Sequence, residues 1–218
     1  MADSDDLAEL VPGSGPWWHA RQARDERRRP RPDGLTQQRI VTAALALVDA
    51  EGLDALTVRR LAAELGTGSA SLYRHVASRD ELLVLMVDHV LGEIVFPDLA
   101  LPGRQRVIGL ATELRRVLMD HPNLLAALAA SPLLGPNAMR GAERGLTDMF
   151  DAGFDPSAAV AAYLALIDYV LGTVYFDTSS AGQDFRSIAE FVAPSPDEVF
   201  EFGMETFLDG LAARFPLS

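Results

Sequence analysis

An all-α fold is predicted for this chain of 218 residues by three observations. Apolar residues recur at helical spacing from residue 35 onward, Pro and Gly punctuate the ends of those runs, and no segment alternates as a half-buried strand would. With 49% hydrophobic and 23% charged residues the composition is that of a globular protein. The absence of cysteine excludes disulfides, thiolate zinc sites and thiol nucleophiles together. No run approaches the ~18 uninterrupted apolar residues of a membrane span. Residues 1–16 carry four acids and no base, unlike a secretion signal. A soluble, cytoplasmic chain without a membrane partner is expected.

The elements follow in order. Residues 1–34 read as a flexible N-terminal extension, because Pro12-Gly13-Ser14-Gly15-Pro16 and Arg28-Arg29-Pro30-Arg31-Pro32 break regular structure. Between them Trp17, Trp18, Arg21, Arg24, Arg27 and Arg28 have roughly helical spacing. Two readings stand: a basic arm with an aromatic anchor, able to reach a minor groove, or a disordered linker. Thr36 caps a first helix with Ile40, Ala43, Ala44, Leu47 and Val48 on one stripe, ended by Gly52. Thr57 caps a second helix, with Leu61, Ala62 and Leu65 inward and Gly66 as its stop. Ser69 caps a short third helix carrying Leu72, Tyr73 and Val76. Ser78 caps a fourth, where Glu81 is placed for a capping box. Further helices are expected over about 104–120, 123–130, 137–152, 156–176 and 196–214, with one turn around 184–191. The domains expected are the extension 1–34, a helix-turn-helix domain 35–80 and a larger helical domain 81–218.

Charge is unevenly spread. The net of −12 would oppose a nucleic-acid partner, yet residues 17–79 hold 11 Arg against 7 acids, and residues 80–218 hold 8 Arg against 20. All 19 basic residues are Arg, which beside so many Ala, Gly and Pro reads as a GC-rich genome rather than as chemistry.

The second helix, a three-residue turn containing Gly, and the third helix make a helix-turn-helix. The polar N-terminal half of the third, with Ser69 and Ser71, can enter a major groove ~12 Å wide. Tyr73, Arg74 and His75 follow, with Arg59, Arg60 and Arg79 flanking, all donors suited to phosphates and base edges. The alternatives are a half-buried core Tyr73, a surface His75, and a solvated face for one of Arg59 and Arg60.

The string Gly52-Leu53-Asp54-Ala55-Leu56-Thr57-Val58-Arg59-Arg60-Leu61-Ala62-Ala63-Glu64-Leu65-Gly66, then Ser71-Leu72-Tyr73-Arg74-His75-Val76, then Arg79-Asp80-Glu81-Leu82-Leu83, resembles the TetR family of bacterial transcriptional repressors. The match runs from about Leu35 to Glu93. The resemblance implies DNA contacts at Arg59, Ser69, Ala70, Ser71, Tyr73, His75 and Arg79; the helix N-terminus at Thr57 offers backbone N–H groups to phosphate, and Arg74 can contact a phosphate or read guanine. Arg74 stands where relatives often carry an aromatic residue, and Ala70 offers only apolar contact. The resemblance also implies a homodimer on a palindromic double-stranded operator, released by a small-molecule effector. Its pocket would draw on Met86, His89, Met119, Phe150, Asp168, Tyr169, Tyr175 and Phe176. Asp168 has three readings: meeting a cationic ligand, reaching an Arg across the dimer, or facing water. The dimer face would be Val160, Tyr163, Leu164, Ile167, Leu171 and Val174 with Phe200, Met204, Phe207, Leu208, Leu211 and Phe215, unless both stripes fill the monomer's own core. The stretch Ser131-Pro132-Leu133-Leu134-Gly135 lacks the histidine of the tetracycline–magnesium site, and the four histidines show no metal-ligand spacing. No metal and no cofactor are expected.

Two other classes compete with this reading. An enzyme would need a phosphate loop after a strand, a nucleophile elbow or paired carboxylates in one pocket, and the chain has none of these. A helical interaction module, its helix-turn-helix no longer serving specific DNA binding, would leave the Arg-rich segment unexplained.

Overall fold

The computed structural model describes residues 9–27, 35–179 and 194–214, and every regular element among them is helical. In chain order these are α1 (Gly15–Arg27), α2 (Gln37–Glu51), α3 (Val58–Glu64), α4 (Ser69–Tyr73), α5 (Arg79–Leu91), α6 (Gly103–Asp120), α7 (Leu125–Ala130), α8 (Pro136–Asp151), α9 (Pro156–Thr178) and α10 (Pro196–Arg214). The turn expected around 184–191 lies outside the described residues, as does Phe215. Two compact units form, one from Met1–Gly92 with Asn123–Met139, the other from Glu93–Pro122 with Arg140–Ser218. In this division all of α5 and the later segment 123–139 fall with the helix-turn-helix, whereas the sequence places a domain boundary at residue 80.

Helix starts follow the capping residues. Thr36 accepts the Arg39 N–H, Thr57 that of Arg60 and Ser78 that of Glu81, at 3.0–3.2 Å. Each such cap contributes about 1 kcal/mol. Ser195 and Glu198 form a reciprocal capping box, and the bonds from Ser195 hold the Glu198 carboxyl below its ordinary range. The box expected at Ser78 is displaced: the Glu81 carboxylate accepts the N–H of Ala77, one residue before the cap, at 2.7 Å.

In the first unit α2 packs on α3 and α5, and α5 on α7. Ile40, Ala44 and Val48 of α2, Leu61 of α3, and Met86, Val87 and Val90 of α5 form its core. One expectation is corrected here. Residues 15–27 are not a flexible extension but a helix whose Trp17 and Arg21 are 1% and 2% exposed. A buried guanidinium requires a partner, and Arg21 has one in Glu81 of α5. The partner stands 60 residues downstream. Residues 28–34 lie outside the described set.

In the second unit α6 packs on α9, and α9 on α10. The inward stripe of α9 is Ala158, Ala162, Leu166, Val170 and Val174, whose small members permit close helix approach. Val160 and Leu164 are left 46% and 57% exposed. The stripe expected as a dimer face is therefore split, since Val174, Phe200, Met204 and Leu208 are buried within the protomer. The reason is that α9 is apolar nearly all round, so periodicity identifies the helix without choosing its face. By length and composition alone α9 is also apolar enough to cross a membrane. Asp148 of α8, wholly buried, accepts from Nε of both Arg106 and Arg144, at 2.6 and 3.0 Å. Arg106 in turn donates to the carbonyls of Leu99 and Leu101, fixing the loop before α6.

Candidate nucleic-acid interface

α3 and α4 are joined by a turn built on Gly66, which sits in the left-handed region at φ +63°. The Thr67 N–H reaches the Ala62 carbonyl at 2.9 Å and the Gly66 N–H that of Ala63 at 3.1 Å. This paired return satisfies the last carbonyls of α3 and turns the chain in three residues. Leu61 and Ala62 on one side, and Leu72 and Val76 on the other, are buried. They hold α4 with its opposite face outward.

That outward face carries most of the expected contact residues. Arg59, Ala70, Tyr73 and Arg74 are exposed, and Ser69, Ser71 and His75 are half-buried. Tyr73 is 52% exposed, so it is not a core aromatic. Arg60 pairs with Glu51, whereas Arg59 meets no hydrogen-bond or ion-pair partner among the described residues. Of the two arginines, Arg60 is thus the one held in the protein's own surface. Arg74 donates to the Ser71 hydroxyl at 2.8 Å, and Arg79 donates to the Leu53 carbonyl at 3.1 Å. The Arg79 guanidinium keeps further donors for an outside acceptor. Thr57 has its hydroxyl engaged as the α3 cap. Two local expectations change: Gly68, not Ser69, takes the cap position of α4, and the helix ends at Tyr73 before a turn that carries His75 and Val76.

The residues expected to meet an effector are more scattered. Met86 is fully buried in the first unit and His89 half-buried on the last turn of α5. In the second unit Met119 is half-buried, while Phe150, Tyr175 and Phe176 are 44%, 68% and 39% exposed. Asp168 is exposed on the same side of α9 as Leu164 and Tyr175. Tyr169 is engaged in the fold: its hydroxyl donates to the Phe200 carbonyl at 2.9 Å and its ring stacks on Phe200. Burial pushes its phenol above the ordinary range. Among the described residues no cluster of His, Asp or Glu has the arrangement of a metal site.

An N-terminal helix-turn-helix facing solvent, followed by a wholly helical body among the described residues, is the architecture of a DNA-reading regulator. Residues 40–86 match the family model for bacterial regulatory proteins, tetR family, and residues 101–193 that for the tetracyclin repressor-like C-terminal domain. An HTH-type transcriptional regulator of Saccharopolyspora erythraea is 40% identical over 151 residues, 69% of this chain and 64% of that protein. The HTH-type transcriptional repressor DrrR1 of Streptomyces coeruleorubidus is 43% identical over 147 residues, 66% of this chain and 54% of DrrR1. This chain therefore spans less than two thirds of either. The crystal structure of the Streptomyces coelicolor TetR family protein ActR in complex with actinorhodin is similar at a TM-score of 0.75 and 33% identity, covering 84% of this chain and 98% of ActR. The chain belongs to the tetR family of bacterial regulatory proteins.

Proposed function

We propose that this chain is a cytoplasmic, homodimeric repressor that binds a palindromic operator through Arg59, Ser69, Ala70, Ser71, Tyr73, Arg74, His75 and Arg79, with Thr57 at the start of α3, and leaves it on binding a small-molecule effector. The observation that carries this reading is the exposed Arg59–Tyr73 face, which the buried Leu61, Leu72 and Val76 hold outward. A large aromatic and an unpartnered guanidinium on a short, rigid helix pair suit phosphate and base-edge contact. The effector reading leans on ActR, solved with actinorhodin; the pocket is sought among Met86, His89, Met119, Phe150, Asp168, Tyr169, Tyr175 and Phe176. The acidic body lies outside this face in sequence, so local charge governs DNA binding.

The test is selection of duplexes from a random double-stranded library with the full chain. A twofold-symmetric consensus is expected, bound more tightly than unrelated DNA at near-physiological salt. Tyr73→Phe and Ser71→Ala each then weaken binding about three- to tenfold, the worth of one neutral hydrogen bond. Arg59→Gln lowers the slope of log affinity against log salt by about one. If both hydroxyl variants bind like the parent, the assignment of α4 is wrong. No enrichment from an intact dimer would favour the interaction-module reading.

The dimer reading rests on apolar side chains left outward on the last two helices: Val160 and Leu164 on α9, Val199 and Phe202 on α10, the last 74% exposed. We read this surface, including that of α9, as protein interface rather than membrane span. Paired with twofold copies, such helices form a four-helix contact. Leu164→Glu with Phe202→Glu is expected to convert a dimer to a monomer in sedimentation equilibrium. A double variant that still sediments as a dimer puts the interface elsewhere.

A further inference from the structure

Helix α1 is neither an appendage nor a DNA arm in its geometry. Two of its three arginines turn inward: Arg21 is 2% exposed and pairs with Glu81, itself 3% exposed, and Arg24 lies 3.6 Å from the same carboxylate, while Arg27 is exposed. Arg21 also donates to the Gln37 side chain at the first residue of α2. Glu81 does double duty, because its second oxygen accepts the Ala77 N–H in the two-residue link between the α4 turn and α5. One guanidinium thus joins the start of α2, the start of α5 and, through Glu81, the exit from the recognition helix. Trp17, with Arg21 over its ring at 5.2 Å, plugs the same seam.

We propose that α1 is an internal clamp that sets the pose of the recognition helix, with Arg21 as its positioning residue. The proposal rests on the DNA-binding reading for its consequence and on the Arg21–Glu81–Ala77 geometry for its cause. Arg21 touches no DNA. It acts by fixing the Glu81 carboxylate, which without Arg21 is a buried charge left with the longer Arg24 contact at 3.6 Å, and so pulls toward water and releases Ala77. The direction of the link after α4 then becomes variable, and DNA must reorder it on binding.

Arg21→Gln in the full chain is the test, read in three ways. First, affinity for the duplex selected by the parent falls at least about tenfold, since a buried pair is broken, while the salt slope stays that of the parent. Second, hydrogen exchange at the Ala77 and Leu82 amides speeds up at least about tenfold, as local opening of the first turn of α5 becomes easier. Third, Arg21→Lys recovers part of both. Should Arg21→Gln not fold, Gln37→Ala removes only the second partner of Arg21 and is expected to show both changes at about threefold. An unchanged affinity with a lowered melting temperature makes α1 a stabiliser only and overturns the proposal. A salt slope reduced by about one makes Arg21 a phosphate contact and overturns it equally. The exchange measurement needs no DNA. If the parent selects no duplex, the repressor reading fails on its own, and unchanged exchange at Ala77 would still sink the clamp.

Discussion

Trp17→Ala is expected to cost the first unit about 3–5 kcal/mol, the usual loss on truncating a buried large aromatic to alanine. Trp17 is 1% exposed and meets both the edge of Trp18 and the Arg21 guanidinium. Its removal opens a hole beside a buried ion pair, so water reaching Arg21 and Glu81 adds to the damage. The loss can appear in two ways that one experiment separates. If α1 stays docked, urea unfolding shifts as a single transition. Trp18 is the one tryptophan left in this variant in either case, since the chain has two and both lie in α1. If α1 peels away, Trp18 emission moves to longer wavelength before the main transition. A variant with the parent's midpoint and no such early shift would show that the Trp17 indole contributes nothing to holding α1 in place.

Gly135→Ala is expected to be the second severe change. A Cβ built there lands 2.1 Å from Asp88 Oδ1 and 2.9 Å from the Trp18 ring. The carboxylate has little room to yield, for it accepts the N–H groups of Asn137 and Ala138 at 3.0 and 3.1 Å and so caps α8 from α5. Its other oxygen takes the Asn137 amide. Overpacking of this kind costs about 1–3 kcal/mol, and losing the cap about 1 more. Thermal unfolding is expected to drop accordingly. Asp88→Ser combined with Gly135→Ala, which shortens the obstructing side chain, restores part of the loss; a single variant as stable as the parent would mean that the loop simply shifts.

These two sites also show where sequence reasoning reaches and where it stops. The caps at Thr36, Thr57 and Ser78 were legible because donor and acceptor lie within three residues of each other. The turn at Gly66 was legible for the same local reason. The outward side of α4 followed from Leu72 and Val76 fixing the inward one. The burial of Arg21 was hidden, since its partner stands 60 residues away and an Arg-rich stretch reads as a solvated arm. Arg59 and Arg60 were indistinguishable until Glu51 claimed one of them. The two faces of α9 were inseparable because Val160 and Val174 are alike in chemistry and differ only in what packs on them. For the same reason the effector candidates remained a pool of aromatic and sulfur side chains, several of which, such as Tyr169, hold the protomer together.

The first unit is assembled from two stretches of chain, with Asn123–Met139 returning to it after an excursion into the second. Asn123 donates to the carbonyls of Val48 and Asp49 at the end of α2, and Asn137 to Asp88 of α5. A graft that cuts after residue 92 would therefore carry the recognition helix but strip α2 of a terminal donor and α5 of its α7 cover. During synthesis from the N-terminus, this unit cannot close until residue 139 has left the ribosome, by which time the opening helix of the other unit, α6, is already outside. Transplanting the specificity of this protein onto another body accordingly calls for exchanging two segments together, not one.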